Sequence, residues 1–376
     1  MVTLTRSDAI DEVLTRVDTL GFEMGPGFTS HAPMGAEALV TLGYATDAVP
    51  WIDRYIREVP HFPRPEPTSS RVNPNDEADW RDALGRHERL ADWVLLFEEE
   101  MENEPWADTL ARWWPRLVDG FIGGLTHGLI RTAHAVRSLD AEPNPTPRLQ
   151  RELARALAYM AVQYSPLPGR PEPTGNRSLS EAFAGLPIIP PSQVVGAGPQ
   201  RRRGGRYGQE EGDALAEWQD AVNQLEPPAD LDRALLSMSR EAANILRDRA
   251  AIKPSPVQMI ASVHVMTAPS AARMLLPHLP VETHAQTYAR VWQVVAGLAA
   301  AFMVRKNDTS PRDDHGRQPL ALDELRARAI DNRAAHAIKL TETCLRDYQD
   351  DPDPVYLFAA EDVLPRIIIT DSTPGG

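Results

Sequence analysis

The chain has 376 residues, of which 42% are hydrophobic and 24% charged, and 39 basic against 53 acidic side chains give it a formal charge of −14. A chain of this size and composition can bury a large core, which excludes a disordered tail, a fibrous repeat and a disulfide-stapled miniprotein. The negative charge opposes binding to phosphate backbones, so we expect no nucleic-acid partner.

Helical periodicity dominates the sequence from its first residues. Residues 8–20 carry apolar side chains three and four positions apart, and Pro33 stands at the first turn of a helix predicted over residues 34–42. Further helices are predicted over residues 81–100, 105–119, 120–139, 148–163, 214–225, 231–249, 256–276, 282–304 and 320–347. Only residues 367–370 resemble a strand. We therefore predict an all-α fold, a single bundle-like domain of many helices over residues 1–376 with long proline-rich loops.

Prolines and glycines mark the predicted loops. Most of the 34 prolines lie between predicted helices. Pro115 and Pro269 lie inside predicted helices, which each is expected to bend or end. Residues 195–212 combine several glycines with a run of three arginines. We interpret this segment as a flexible loop or lid, because candidate site residues lie on both sides of it.

Several features indicate a cytoplasmic protein. Cys344 is the only cysteine, so no internal disulfide can form. The N-terminal residues lack the charged and apolar regions of a signal peptide, and no uninterrupted apolar run reaches the roughly 18 residues of a membrane span. We expect no membrane partner, and the sequence leaves a homo-oligomer open.

Motifs of several enzyme classes are absent from the sequence. It has no P-loop, no Gly-x-Gly-x-x-Gly after a strand, no Gly-x-Ser-x-Gly elbow and no His-Glu-x-x-His. Any chemistry must therefore come from the histidines or from an unfamiliar arrangement.

Two histidines lie in an unusually apolar stretch. Residues 120–136 contain a single charge, Arg131, and His127 and His134 point the same way on a helix because they are seven residues apart. A solvent-facing surface would carry several charges, so we predict that both imidazoles are buried and share a metal ion; an ordinary solvent face is the alternative. Arg131 either binds a substrate phenolate or carbonyl oxygen or forms a structural ion pair.

Three more candidates lie in the second half of the chain. His264 stands in an uncharged stretch, where it is either a metal ligand or a core histidine bonded to a backbone carbonyl. His336 lies on the apolar stripe of its predicted helix, with Lys339 three residues further on. A buried lysine tends to lose its proton and can then add carbon dioxide to become a carbamate, an anionic oxygen ligand. The alternative is a lysine whose head reaches water.

The remaining histidines divide into one candidate and a solvated group. His31 stands at a predicted helix N-terminus, where the positive end of the helix dipole favours the neutral, metal-binding imidazole; a surface turn residue is the alternative. Five histidines lie in proline loops or among charges, and we predict that they are solvated: His61, His87, His278, His284 and His315.

The segments SHAPM at residues 30–34, HGLIRTAH at 127–134 and HAIKLT at 336–341, together with His264, resemble the questin oxidase-like family. The resemblance extends from about residue 20 to about residue 345. It implies oxidative opening of anthraquinone-type rings in polyketide pathways. Its resemblance to one branch of the family also implies a mononuclear non-haem iron held by four histidines and a carboxylated lysine. Carried over, Lys339 would be the carbamate, and five histidines are candidates for four places: His31, His127, His134, His264 and His336. Of these, His31 or His336 is expected to orient substrate or act as an acid or base instead.

Four imidazole nitrogens and one anionic oxygen suit iron(II) and leave one octahedral place open. The resemblance, together with this donor set, predicts an oxygenase that uses O₂ and iron(II) to cleave, or to insert oxygen into, a polycyclic aromatic polyketide. Apolar residues predicted as walls of its cavity are Trp113, Trp114, Phe121 and Met259. Alternatives are an NADPH-dependent monooxygenase, a non-catalytic helical protein that binds a structural zinc or small ligand, and, more weakly, a metal hydrolase.

Overall fold

The computed structural model describes residues 4–24, 29–68, 70–188, 212–302 and 314–367, and within these ranges the chain forms sixteen α-helices and no β-sheet. The predicted all-α fold is confirmed. The helices are α1 Arg6–Arg16, α2 Ala32–Thr41, α3 Ala45–Glu58, α4 Glu77–Ala83, α5 Leu90–Asn103, α6 Trp106–Leu117, α7 His127–Asp140, α8 Pro147–Val162, α9 Leu179–Ala184, α10 Gly212–Asn223, α11 Leu231–Ala251, α12 Pro256–Leu275, α13 Val281–Phe302, α14 Leu322–Asn332, α15 Ala335–Asp350 and α16 Pro354–Val363.

Helix α12 lies at the centre of the packing. It contacts α11, α13, α7 and α15, and a capping box formed by Ser255 and Gln258 fixes its first turn. The segment Gln258–His278 is the one helical segment of the described residues long and apolar enough to span a membrane, and 83% of its most apolar window is buried. Such burial is typical of a core helix, and the absence of a membrane partner stays a prediction.

Helices α2, α7 and α15 are the elements that position the candidate site. α2 contacts both α7 and α15, and α12 packs against α7 and α15. Every residue of α2 from Ala32 to Val40 is buried, as are all but one of the residues from His127 to Leu139 in α7. These helices therefore bring polar side chains into the interior of the molecule.

The helix predicted over residues 120–139 begins only at His127. Gly124, Leu125 and Thr126 have φ angles of +59°, +54° and +62°, which no right-handed helix accepts. A Cβ on the preceding Gly123 would lie 1.5 Å from the carbonyl oxygen of Gln163, so the neighbouring chain forces a turn here. The prediction was wrong because this contact is tertiary and leaves no mark on the helical periodicity.

The helix predicted over residues 320–347 is two helices, α14 and α15. Arg333 adopts a φ of +66° and ends α14, and the side chain of Asn332 accepts a hydrogen bond from the Ala334 N–H at 3.2 Å. The amide of Asn332 also donates to the carbonyl of Ile367 at 2.9 Å. An asparagine bonded in this way breaks the helix just before the residues that α15 contributes to the site.

Other predictions had mixed outcomes. The helix predicted over residues 81–100 is interrupted by Gly85, whose φ is +70°, and α3 was not predicted at all. Pro269 does not end α12, which continues to Leu275, whereas α6 ends two residues after Pro115. Residues 195–211 of the predicted flexible loop and residues 368–370 of the strand-like run lie outside the described residues.

Candidate metal centre

Three histidines from distant parts of the chain meet at the ends of three helices. His31 is the N-cap of α2, His127 is the first residue of α7, and His336 is the second residue of α15. All three are buried, and their candidate ligand nitrogens lie within 4.8 Å of one another. The ring of His31 lies 4.8 Å from that of His127 and 4.3 Å from that of His336. The fold therefore brings three buried nitrogens close enough together to bind one cation.

The spacing of the His31 and His127 nitrogens suits a hydrogen bond between the two rings and also suits two ligands on one metal. The Nε2 atoms of His31 and His127 are 2.8 Å apart. Two nitrogens at right angles on a metal, each about 2.1 Å from it, would be separated by about 3.0 Å. His127 donates its Nδ1–H to the Gly124 carbonyl at 2.6 Å, so its neutral ring presents the Nε2 lone pair to His31. The broken helix start therefore fixes the tautomer that metal binding requires.

The three helices run in the same direction from this point. About two turns further along α2, α7 and α15, the side chains of Glu37, Arg137 and Glu342 also meet. Helical side chains lean towards the N-terminus, so the imidazoles stand at three positive helix ends. Burial and the neighbouring charges of His264 and His31 hold the pKa of His127 well below its usual range. This shift favours the neutral form of the His127 ring, which is the form that binds metals.

His264 completes a cluster of four imidazoles. Its ring, carried by α12, lies 4.4 Å from the His127 ring and 5.6 Å from the His336 ring. Its Nδ1 is hydrogen-bonded to Thr126 Oγ1 at 3.0 Å, whereas its buried Nε2 has no hydrogen-bond partner among the described residues. A buried nitrogen without a partner is costly, and a bound cation would satisfy it. We call His31, His127, His264 and His336 the histidine cluster.

Lys339 follows His336 by one turn of α15 and is only 2% exposed, so its head does not reach water. The interpretation of Lys339 as a solvated lysine is therefore wrong. A positive charge on its amine would be among the causes that lower the pKa of His127 and His264. An anionic oxygen attached to this amine would therefore lie close to the histidine rings.

A second polar group lies two turns along the same three helices. His134 donates its Nδ1–H to Glu37 Oε2 at 2.6 Å, and Arg137 forms ion pairs with Glu37 and with Glu342. Burial opposes the shift, but Arg137 and His134 hold the pKa of Glu37 well below its usual value, and Arg137 and Arg346 lower that of Glu342 to about 2. We call Glu37, His134, Arg137 and Glu342 the charged layer.

The structure places His134 in the charged layer and not in the histidine cluster. His127 and His134 share one face of α7, as predicted, but two turns of helix separate them and their tertiary partners differ. The family resemblance predicted five candidates for four places, with His31 or His336 as the one with another role. Both of these lie in the cluster, and His134 is the candidate that the fold sets apart.

Arg131 forms a buried ion pair. Its Nε and Nη2 donate to the two carboxylate oxygens of Glu152 at 2.7 and 2.9 Å, and its guanidinium lies 4.4 Å from the centre of the Phe22 ring. Of the two roles predicted for Arg131, the structure contains the structural ion pair. A contact between Arg131 and a substrate stays a prediction.

Several residues around the cluster were not found from the sequence. Thr126 holds His264, and Tyr55 accepts a hydrogen bond from the backbone N–H of His31 at 3.0 Å. Glu37, the lone acidic residue of α2, was not among the predicted site residues. The available signal for a role of Glu37 was its position in an apolar stretch of α2. The buried Glu342 has a similar position on α15. Trp113, predicted to line a cavity, packs at 5.2–5.4 Å against Phe97 and Trp93.

The five histidines predicted to be solvated are mostly half-buried. His315 alone is exposed, while the other four have intermediate exposure: His61, His87, His278 and His284. His61 donates its Nδ1–H to the Val59 carbonyl at 2.9 Å and accepts a hydrogen bond from Ser30 at 3.0 Å. A proline-rich context therefore did not predict exposure, because the loop folds back against Ser30 and against Tyr55 of α3.

An all-α protein with a buried histidine cluster is the class that the fold and the site define. Residues 28–344 match the family model described as Questin oxidase-like, so the chain belongs to this family. The match covers every residue of the histidine cluster and of the charged layer. No curated protein matches the chain.

The donor set fits a transition metal. Neutral imidazoles, a nitrogen spacing of 2.8 Å and the unpartnered Nε2 of His264 together suit an ion such as iron(II), cobalt(II) or zinc. Among the described residues, no carboxylate oxygen groups with the histidine nitrogens. The nearby Glu37 and Glu342 pair with Arg137 two turns further along the helices. An anionic ligand for such an ion would have to come from Lys339 or from a substrate.

Proposed function

We propose that the chain is a non-haem iron oxygenase in which His31, His127, His264 and His336 hold iron(II). The single observation that carries the proposal is the 2.8 Å separation of the Nε2 atoms of His31 and His127 within a group of buried imidazoles. Imidazole nitrogens with an anionic oxygen form a donor set suited to iron, and a fifth ligand would leave one octahedral place open.

Lys339 is the proposed source of the anionic oxygen. A neutral amine adds to carbon dioxide, forms an N–C bond and releases one proton, which leaves a carbamate with one negative charge. Burial favours the neutral amine that this addition needs, and three helix N-termini favour the anionic product. Arginine could not perform this reaction, which gives a reason for one of only three lysines in the chain to stand here.

The proposed substrate is a polycyclic aromatic polyketide of the anthraquinone type, in keeping with the family. Iron(II) bound in the cluster would supply the one-electron chemistry that lets O₂ react with an electron-rich ring. The residues of the chain exclude water from the site by burial, and the converging helix ends stabilise the substrate as a phenolate. The expected outcome is oxidative C–C cleavage or insertion of oxygen beside a carbonyl.

Oxygen uptake tests this function. The purified chain, loaded anaerobically with iron(II), is mixed with an anthraquinone or its hydroquinone, and O₂ consumption is followed with and without NADPH. We expect uptake that requires iron and the aromatic compound. Substrate-dependent consumption of NADPH would favour the NADPH-dependent monooxygenase, and a bound zinc with no uptake under any condition would favour a non-catalytic protein.

A further inference from the structure

Arg137 contacts two of the three other helices that carry the histidine cluster, α2 and α15. It lies on α7, donates from Nε to Glu37 Oε1 of α2 at 3.0 Å, and forms a second bond from Nη2 to the other oxygen of the same carboxylate. Its Nη1 donates to Glu342 Oε1 of α15 at 2.5 Å. One guanidinium therefore joins α2, α7 and α15.

The chemistry of this junction makes it rigid. The side chains of Glu37 and Glu342 are 4% and 2% exposed, so neither carboxylate can exchange Arg137 for water. A planar guanidinium offers donors in fixed directions, and it holds two carboxylates at a defined separation as no ammonium group can. Removing it would leave two buried negative charges facing each other without this shared cation.

The same three helices carry three imidazoles of the histidine cluster at their N-terminal ends. His31 precedes Glu37, and His336 precedes Glu342, by about 9 Å along the helix axis at 1.5 Å per residue. Helices of this length are stiff, so the separation set at the charged layer also determines how closely the three N-termini approach. The 2.8 Å spacing between the Nε2 atoms of His31 and His127 depends on that approach.

We propose that Arg137 is a positioning residue that sets the geometry of the metal centre by holding α2 and α15 at a fixed distance from α7. This inference rests on the proposed metal centre, since it concerns how the cluster binds a cation. It assigns Arg137 no contact with metal or substrate.

The test uses Co²⁺ as the probe and the full-length, metal-free chain. Co²⁺ affinity and the visible absorption bands of the bound ion, which report coordination geometry, are measured for the wild type, Arg137→Met and Arg137→Lys. Arg247→Met is the matched control, because Arg247 is also a buried arginine that bridges two carboxylates, those of Asp314 and Asp362, but on α11.

We expect Arg137→Met to bind Co²⁺ about 10–100-fold more weakly and with a changed absorption spectrum, as for other residues that orient metal ligands. Arg137→Lys, which keeps the charge without the fork, should fall between this variant and the wild type. Arg247→Met should lower the stability of the fold while the affinity and the spectrum stay those of the wild type.

Wild-type Co²⁺ affinity and an unchanged absorption spectrum in Arg137→Met would overturn the inference. If Arg137→Met does not fold, Arg137→Lys is judged by the same two measurements. An equal change of spectrum in Arg247→Met would also overturn it, because the effect would then be one of general stability. Failure of the wild type itself to bind Co²⁺ would instead contradict the proposed metal centre, and this role of Arg137 with it.

Discussion

At the scale of single residues, the site depends on polar groups whose burial is unfavourable without a partner. The nitrogens of the histidine cluster and the amine of Lys339 are removed from water, and burial is the largest cause of the lowered pKa of His127 and His264. A shared cation with an anionic oxygen would compensate this desolvation. Single substitutions that remove one donor while keeping its volume therefore test the site without disturbing the fold.

Replacing Lys339 by methionine is the sharpest of these substitutions. Methionine has a similar length and no charge, so the metal-free variant should be as stable as the wild type or more stable. Loss of the anionic ligand should weaken iron(II) binding at least about tenfold, or about 1.4 kcal/mol. A ¹³C signal from labelled bicarbonate bound to the wild type should also disappear in this variant.

The matched control is Lys253→Met, at an exposed lysine that precedes α12. It should change neither iron affinity nor the ¹³C signal. Equal iron affinity in Lys339→Met and in the wild type would show that the amine supplies no ligand.

The residue types of the site were predictable, and their partners were not. Histidines and one lysine in apolar, nearly uncharged stretches are unusual, and this was enough to select all four residues of the cluster and Lys339. His127 and His134 were indistinguishable, because a spacing of seven residues gives both the same direction on a helix. Only tertiary contacts, with His31 in one case and Glu37 in the other, separate them.

At the scale of helices, the site depends on how closely the N-termini of α2 and α15 can approach. Gly35, in the first turn of α2, makes this approach possible. A Cβ at this position would lie 2.5 Å from the ring of Trp51 and 3.2 Å from Ala335 Cβ, at the start of α15. A single methyl group would therefore clash with Trp51 of α3 and also press on the helix that carries His336.

We expect Gly35→Ala to lower the free energy of unfolding by about 1–3 kcal/mol, as overpacking of a core does. Iron(II) binding should weaken in the same variant, because His31 and His336 move apart. Chemical denaturation and metal titration measure the two effects. Gly185→Ala is the control, since its added Cβ would meet chiefly the mobile end of the exposed Arg177 side chain. Unchanged metal affinity in a destabilised Gly35→Ala variant would contradict this role of the helix contact.

Helix existence was largely predictable and helix ends were not. The apolar periodicity of α1, α8, α11, α12 and α13 was clear in the sequence. The start of α7 depends on the left-handed turn at Gly124–Thr126, which the backbone of Gln163 imposes from another helix end. The break before α15 similarly depends on bonds from Asn332 to residues that follow α16. Periodicity contains no information on such contacts.

At the scale of the whole molecule, the buried imidazoles make stability depend on pH. Burial and neighbouring charges hold the pKa of His127 and His264 well below their ordinary value of 6.5 in the folded chain. In the unfolded chain the same rings take up protons near that value. The stability they contribute is therefore complete above about pH 6.5 and is lost as the pH falls below it.

We expect His127 and His264 together to lower the unfolding free energy of the metal-free protein by up to about 2.7 kcal/mol per pH unit below pH 6.5, since each ring contributes up to about 1.36 kcal/mol. Burial also lowers the pKa of His134, which adds to this fall. Urea unfolding at pH 7.5, 6.0 and 5.0 measures this slope. Below about pH 4.5 the lowered pKa values of Glu37 and Glu342 add a further loss of the same sign. A double variant, His127→Gln with His264→Gln, should flatten the first slope, whereas constant stability between pH 5 and 7 in the wild type would mean that the rings do not titrate as neutral buried groups.

The most direct measurement is the iron stoichiometry of the wild type and of two variants, each with one histidine of α7 replaced. Wild type, His127→Ala and His134→Ala are loaded anaerobically with iron(II), dialysed, and analysed for metal by mass spectrometry. We expect one iron per chain in the wild type and in His134→Ala, and none in His127→Ala, because only the first of these two histidines belongs to the cluster. Equal iron in His127→Ala and the wild type, or no iron in the wild type, would contradict the convergence of the four imidazoles on one metal ion.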